Sequence, residues 1–321
     1  MIHQKQRKGV LRMSIRSSFQ QMLPYLTPEL QAPLRHLPEQ DSVQEIRLRC
    51  GRPMQAVRGG IGFTVTAQGL CAGNASDGIP VTGQAIEAVF RNVCAHSVHS
   101  FQDAIRQGFV TIAGGSRVGI CGTAVIKSNQ LDTVRSISGL NLRIASERRG
   151  CAEALAERIG DPRQTGGVLL AGAPASGKTT ILRDLARIYG ERMRVCVLDE
   201  RGEIAAVRNG IPQFALGMQT DVFDGYPKAE AIAISVRVMS PELLICDEIG
   251  TEDEADALLR SMHTGVTLIA SAHAGSLQAL RMRPQIRRLT DAGVFRQAYL
   301  LATGKNCGNM TAFQKFGGDH P

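Results

Sequence analysis

The chain has 321 residues, 43% of them hydrophobic, which is long for one domain and comfortable for two with ordinary cores. Lys and Arg number 37 against 29 Asp and Glu, a formal charge of +8 that permits nucleic acid or an anionic membrane surface as partner and demonstrates neither. Aromatic residues make up only 4% and Trp is absent, which argues against a stacking platform for single-stranded nucleic acid. The basic start, Met1 to Lys8, is followed by no apolar h-region, and no run approaches the roughly 20 apolar residues that span a bilayer. A cytoplasmic protein is expected, with any membrane association peripheral and through partners. The eight cysteines are scattered without a C-x-x-C pair, so they read as buried, reduced thiols.

Residues 1–42 read as a basic tail and a helical segment without assigned chemistry, Met13 being an alternative start. From Val43 short alternating strands are predicted at 45–49, 54–58 and 63–65, separated by Gly51-Arg52-Pro53 and Gly59-Gly60. Helices at 83–93 and near 100–107 precede strands at 109–113, 118–122 and 141–144. Residues 43–150 therefore form a small α+β domain whose sheet keeps one wet face. A helix at 152–159 then leads through Gly160-Asp161-Pro162 into a domain over 151–321. Its candidate strands, 168–171, 195–198, 243–246, 267–271 and 298–302, are near-continuous apolar runs with helices between most of them. That pattern belongs to an α/β fold with a parallel sheet covered on both faces.

Between the first of those strands and its helix stands Gly172-Ala173-Pro174-Ala175-Ser176-Gly177-Lys178-Thr179, a phosphate-binding P-loop. Its backbone N–H groups and the helix N-terminus favour an anion, Lys178 reaches the β- and γ-phosphates, and the Thr179 hydroxyl suits Mg²⁺. Thr180 completes the stretch expected to bind ATP. The run Leu243 to Cys246 ends in Asp247-Glu248, a Walker B pattern: Asp247 for Mg²⁺, Glu248 to orient or deprotonate the attacking water. A second apolar run ends in Asp199-Glu200, and Glu200 joins the catalytic candidates if it emerges beside Asp247; a strand-end ion pair with Arg201 is the plainer alternative. The strand 267–271 leads to His273, a candidate γ-phosphate sensor or a structural hydrogen-bonding residue. Phosphoryl transfer often uses an arginine, which brings in Arg117, Arg143 and Arg237 beside the surface and ion-pair roles open to each.

Five segments, Glu45 to Pro53, Arg117 to Gly122, Asp199 to Ala205, Thr220 to Glu230 and Arg237 to Pro241, together resemble the stage III sporulation protein AA family. The resemblance runs collinearly from about Val43 to Leu301. That family is similar in turn to the ring-forming, often hexameric, ATPases of type II secretion and type IV pili. It implies a RecA-like ATPase core behind a small N-terminal domain, Glu200 in an acidic box, His273 in a histidine box, and Arg237 ahead of Walker B. Arg117 and Arg143 match N-domain arginines that approach nucleotide across a domain or subunit boundary. The resemblance further implies a homo-oligomer that works with membrane proteins of a sporulation channel complex. The chain departs from the pattern at Ala175, where glycine is more usual, and at Tyr226, where cysteine is common. A nucleic-acid-dependent ATPase is the second reading, motivated by the net charge and by Arg281, Arg283, Arg287 and Arg288; a nucleotide-regulated scaffold is the third.

Overall fold

The computed structural model describes residues 17–73, 76–127, 129–261 and 265–316, and the chain divides between Ser146 and Glu147 into two units. The first unit opens with α1 (Ser18–Met22), α2 (Pro28–Arg35), β1 (Val43–Arg49), β2 (Arg52–Pro53), β3 (Gln55–Arg58), β4 (Ile61–Thr66), β5 (Gly69–Ala72) and β6 (Pro80–Val81). It continues through α3 (Gly83–Val93), α4 (Gln102–Arg106), β7 (Phe109–Thr111), β8 (Arg117–Lys127) and β9 (Gln130–Arg143). Seven strands form one antiparallel sheet in the order β5-β4-β3-β1-β9-β8-β7. Period-two alternation sends Ile46, Leu48, Val118, Leu140 and Leu142 into a core shared with Phe19, Leu30 and Leu34 of the first helices and Ile86 and Val89 of α3. The alternate positions, among them Glu45, Arg47, Arg117 and Arg143, remain outside that core. α3 begins where the Thr82 hydroxyl accepts a hydrogen bond from Ala85 N at 3.1 Å, a side-chain N-cap. The strands expected at 118–122 and 141–144 are the base of a longer β8–β9 hairpin.

The second unit contains α5 (Glu153–Ile159), α6 (Pro162–Thr165), β10 (Gly167–Gly172), α7 (Lys178–Gly190), β11 (Val195–Asp199), β12 (Thr220–Asp224) and α8 (Lys228–Met239). These are followed by β13 (Leu243–Cys246), α9 (Glu252–Ser261), β14 (Thr267–His273), α10 (Leu277–Arg281), α11 (Pro284–Asp291), β15 (Phe295–Leu301) and β16 (Met310–Lys315). The sheet order is β12-β11-β13-β14-β10-β15-β16, parallel except for β16. Both faces are covered. Leu169 and Ala171 of β10 pack with α8, α9 and α11, whereas Val168 and Leu170 pack with α5 and α7. This is why the runs read as continuously apolar.

Among the described residues no helix is long and apolar enough to cross a membrane. All eight cysteines are free thiols. Only Cys94, Cys196 and Cys246 are buried, which corrects the expectation for the other five: Cys50, Cys71, Cys121, Cys151 and Cys307 are exposed. Cys50, Cys151 and Cys307 fall in turns, Cys71 lies in the edge strand β5, and Cys121 lies where β8 leaves the core, so no apolar run encloses them. Burial pushes the Cys94 thiol up to about 11 and those of Cys196 and Cys246 up to about 12, so the buried three stay protonated and unreactive.

Candidate nucleotide site

The loop between β10 and α7 is shaped by backbone needs. A β-carbon on Gly172 would lie 2.3 Å from Ser176 Oγ, and Gly177, the residue before α7, takes φ 87°. No side chain caps the N-terminus of α7, so the first N–H groups of the helix are left for another acceptor. Ser176 Oγ is buried and has no hydrogen-bond partner. The loop's outer side is held by the turn between β15 and β16: the Cys307 thiol donates to Ala175 O at 3.2 Å and Gly308 N donates to Ser176 O at 3.1 Å. Ala175 takes φ 60°, left-handed backbone that a β-carbon disfavours. The departure from glycine noted in the sequence thus falls where glycine would be unstrained.

Lys178 is buried, and its ammonium donates to Gly172 O at 2.8 Å and Ala173 O at 3.0 Å. Burial lowers its pKa, with the Glu248 charge opposing. The same ammonium lies 3.1 Å from His273 Nδ1, and His273 Nε2 lies 3.1 Å from Glu248 Oε2. Lysine is only a donor, so Nδ1 accepts and Nε2–H donates to the carboxylate. Strand pairing builds this relay, because Gly172 of β10 stands opposite His273 of β14. Arg283, between α10 and α11, approaches the other carboxylate oxygen of Glu248 at 3.9 Å.

β11 and β13 are neighbours with Leu198 opposite Cys246, so both acidic pairs leave the sheet at the same edge. Asp199 and Glu200 then diverge in role. The fully buried Asp199 carboxylate accepts hydrogen bonds from the N–H groups of Glu203, Ile204 and Ala205, at 2.7 to 3.1 Å, and folds the following turn. Glu200 faces Lys228, with Nζ 3.8 Å from Oε2. That lysine is also 3.1 Å from Asp247 Oδ1 and 3.5 Å from Glu254 Oε1, and it donates to Glu248 O. Burial disfavours its charge, but the Asp247 and Glu254 carboxylates oppose burial, and the ammonium is held above its ordinary value. Burial likewise pushes the Asp247 carboxyl up, against the pull of Lys228.

Of the residues singled out in the sequence, 172–180, Glu248 and His273 gather around one loop, with Glu200 and Asp247 at the adjoining sheet edge. Thr179 and Thr180 are half-buried at the start of α7. Arg237 is exposed in the last turn of α8, nine residues and about 14 Å along the axis from Lys228, so it is not brought to this loop within one chain. Arg117 and Arg143 are cross-strand neighbours in the first unit; Arg117 stacks 4.7 Å over the Phe109 ring and Arg143 stands 3.7 Å from Glu45. Sequence reading missed Lys228 and Glu254, and read Arg283 only as part of a basic cluster. Lys228 left one signal: a lysine opening a helix directly after proline stands against the helix dipole. A shallow concavity beside α7 also went unread; Arg148, Arg149, Thr180, Arg183 and Arg187 contribute to its lining. The Thr179 hydroxyl and the Asp247 carboxylate are hard oxygen donors, a set that fits Mg²⁺ completed by phosphate oxygens.

A P-loop between the first parallel strand and its helix, with acids at neighbouring strand ends, defines the RecA-like ATPase fold. Solved structures agree on the fold: the ATPase DotB of Legionella pneumophila has a TM-score of 0.51 at 15% identity, covering 80% of this chain and 72% of that one. The pilus retraction motor PilT, solved with bound ADP, has a TM-score of 0.50 at 14% identity, with 80% and 74% covered. In sequence, the family "Sporulation stage III, protein AA" matches residues 20–319. Stage III sporulation protein AA of Bacillus subtilis is 34% identical over 286 residues, 87% of this chain and 89% of that protein. This chain belongs to the sporulation stage III protein AA family. The uncharacterized protein ycf45 of Porphyra purpurea is 32% identical over 181 residues, 55% of this chain and 31% of that protein.

Proposed function

We propose that this protein is an ATP-hydrolysing motor that works as a ring of identical chains on behalf of a membrane complex in sporulation. The observation that carries the reading is the relay Lys178–His273–Glu248, which links a phosphate-binding lysine to a water-orienting carboxylate. The Lys178 ammonium is held by two carbonyls and an imidazole, all neutral, so phosphate oxygens are stronger acceptors for it. When Lys178 turns to the phosphates, His273 loses one anchor and Glu248 is left to take a water proton in line with the γ-phosphate. Thr179 and Asp247 are the residues that would hold Mg²⁺, which would supply charge neutralisation at the phosphates. The membership in a sporulation family and the fold shared with a pilus motor support the ring and its membrane setting. In such a ring Arg117 and Arg143 are the candidates to reach a neighbouring chain's nucleotide, and Arg237 a candidate only if it acts in trans.

The nucleic-acid reading loses part of its motivation here, because three of the four clustered arginines are paired with acids: Arg283 with Glu248, Arg287 with Asp291 and Arg288 with Asp256. Steady-state phosphate release by the purified chain is the test. Turnover should require Mg²⁺ and rise per chain with protein concentration, while Lys178→Ala weakens nucleotide binding on the order of 100-fold. Equal phosphate release by Lys178→Ala and the native chain would sink the reading.

A further inference from the structure

Lys228 is where local preference and position conflict. It stands at the first position of α8 after Pro227, where the helix dipole repels a cation, and its side chain is only 5% exposed. Three carboxylates surround it within 4 Å: Glu200, Asp247 and Glu254. Two contacts fix the ammonium from the far side. It donates to Glu248 O, and Glu254 is itself immobilised in a capping box: Glu254 N donates to Thr251 Oγ1 at 3.2 Å, and Glu254 Oε2 accepts from Gly250 N at 2.8 Å and Thr251 N at 3.2 Å. The lysine therefore has a rigid seat on α9 and the turn before it, and it presents its charge to Asp247 from that seat.

We propose that Lys228 is a positioning residue that serves as resident counter-ion of the acid edge, holding Asp247 and Glu200 side by side so that a divalent ion enters only together with the triphosphate. The proposal rests on the ATPase reading. As placed, no three acids among the described residues form a ready-made metal seat, but Glu200, Asp247 and Glu254 all converge on one ammonium, and without that cation a divalent ion is the counter-charge that could draw them together. With the ammonium 3.1 Å from Asp247, that seat is already served, and a metal gains enough only when phosphate oxygens join the donor set. The lysine need not touch nucleotide for this. It acts through Asp247.

Manganese(II) binding, read from the electron paramagnetic resonance signal of the free ion, tests this on the full chain without nucleotide. The native chain without nucleotide should bind Mn²⁺ no tighter than about 1 mM, and with ATP it should lower the free-ion signal further than the same ATP does without protein. Lys228→Met should bind Mn²⁺ without nucleotide at least tenfold tighter than the native chain, by roughly the gain expected from unmasking a carboxylate cluster. Lys228→Arg, which keeps the charge, should bind Mn²⁺ without nucleotide as weakly as the native chain. Nucleotide-free uptake at tens of micromolar by the native chain overturns the proposal, and that arm needs no variant to fold. So does a folded Lys228→Met, checked by circular dichroism, that binds no tighter than native. A native chain that ignores ATP altogether refutes the ATPase reading instead, and leaves the nucleotide-free comparison of lysine and methionine standing on its own.

Discussion

Each half of the molecule carries a seven-stranded sheet, and the two halves treat charge in opposite ways. In the first unit the buried polar residues among those described are Thr64, Thr66 and Ser116, all neutral hydroxyls. In the second, Lys178, Asp184, Asp199, Lys228, Asp247 and Glu254 are all buried. An antiparallel sheet with one wet face can send its charges outward, as it does Arg47 and Arg143. A parallel sheet covered on both faces has only its strand ends to offer, so charge collects in the crevice there and is matched side chain by side chain. Burying an ion is costly unless it is paired, and the concentration of such ions in one unit makes that unit the candidate for chemistry.

The largest effect that would sharpen this contrast is Glu248→Gln. The amide keeps an acceptor for His273 Nε2–H and loses the basic oxygen, so turnover should fall about 10²- to 10⁴-fold while ATP affinity stays within about twofold. Single-turnover phosphate release alongside fluorescent-nucleotide binding separates the two. If affinity falls in step with turnover, Glu248 belongs to the binding apparatus, and the division between a binding loop and a chemical edge breaks down.

How much of this was readable beforehand differs between the two sheets for the same reason. The central parallel strands are apolar on both faces, and their positions could be read from composition alone. The edge strands could not: β12, Thr220-Asp221-Val222-Phe223-Asp224, has one bare flank and alternates with charge, and β16 is exposed over most of its length. The β8–β9 hairpin shows the same limit, since Gly122 to Lys127 is exposed on nearly every residue and carries little periodic signal. The P-loop and Walker B candidates could be picked out because both patterns have fixed spacing. Lys228 and Arg283 could not, because each reaches the site from a separate element, and only strand order and helix direction decide which side chains meet.

A middling effect tests whether the buried charges of the second unit stabilise it. The Asp184 carboxylate accepts from Ala152 N at 2.8 Å and from Arg187 Nε at 2.7 Å. Burial alone would raise its pKa, but Arg187 and the backbone N–H groups of Ala152 and Gly150 outweigh burial and hold it below the usual carboxylate range. A folded value below the unfolded one means stability that is fully present above the unfolded value of about 3.9 and lost as pH falls through the folded one. Asp184→Asn should therefore cost about 1 to 3 kcal/mol at neutral pH. In thermal melts the gap to the native chain should narrow as pH drops below about 4. A gap that stays constant into strong acid would mean that the pairing contributes nothing, and that burial of charge in this unit is merely tolerated.

The smallest effect is the most local. Ala175 holds a left-handed backbone in the P-loop, and Ala95 does the same in the first unit, at φ 47°. A β-carbon in that region costs roughly 1 to 2 kcal/mol, of which glycine's extra freedom in the unfolded chain returns about 0.4 to 1. Ala175→Gly and Ala95→Gly should each stabilise the chain by about 0.5 to 1 kcal/mol, and melting should show the same small rise for both. Nucleotide affinity should tell them apart. Ala175 O is anchored by the Cys307 thiol, so its strain is maintained from outside the loop and sets the direction of the neighbouring N–H groups. Relaxing it should change ATP affinity severalfold, whereas Ala95→Gly should leave affinity untouched. Equal behaviour of the two variants in both assays would reduce Ala175 to ordinary turn strain, and the alanine in place of glycine would carry no functional meaning.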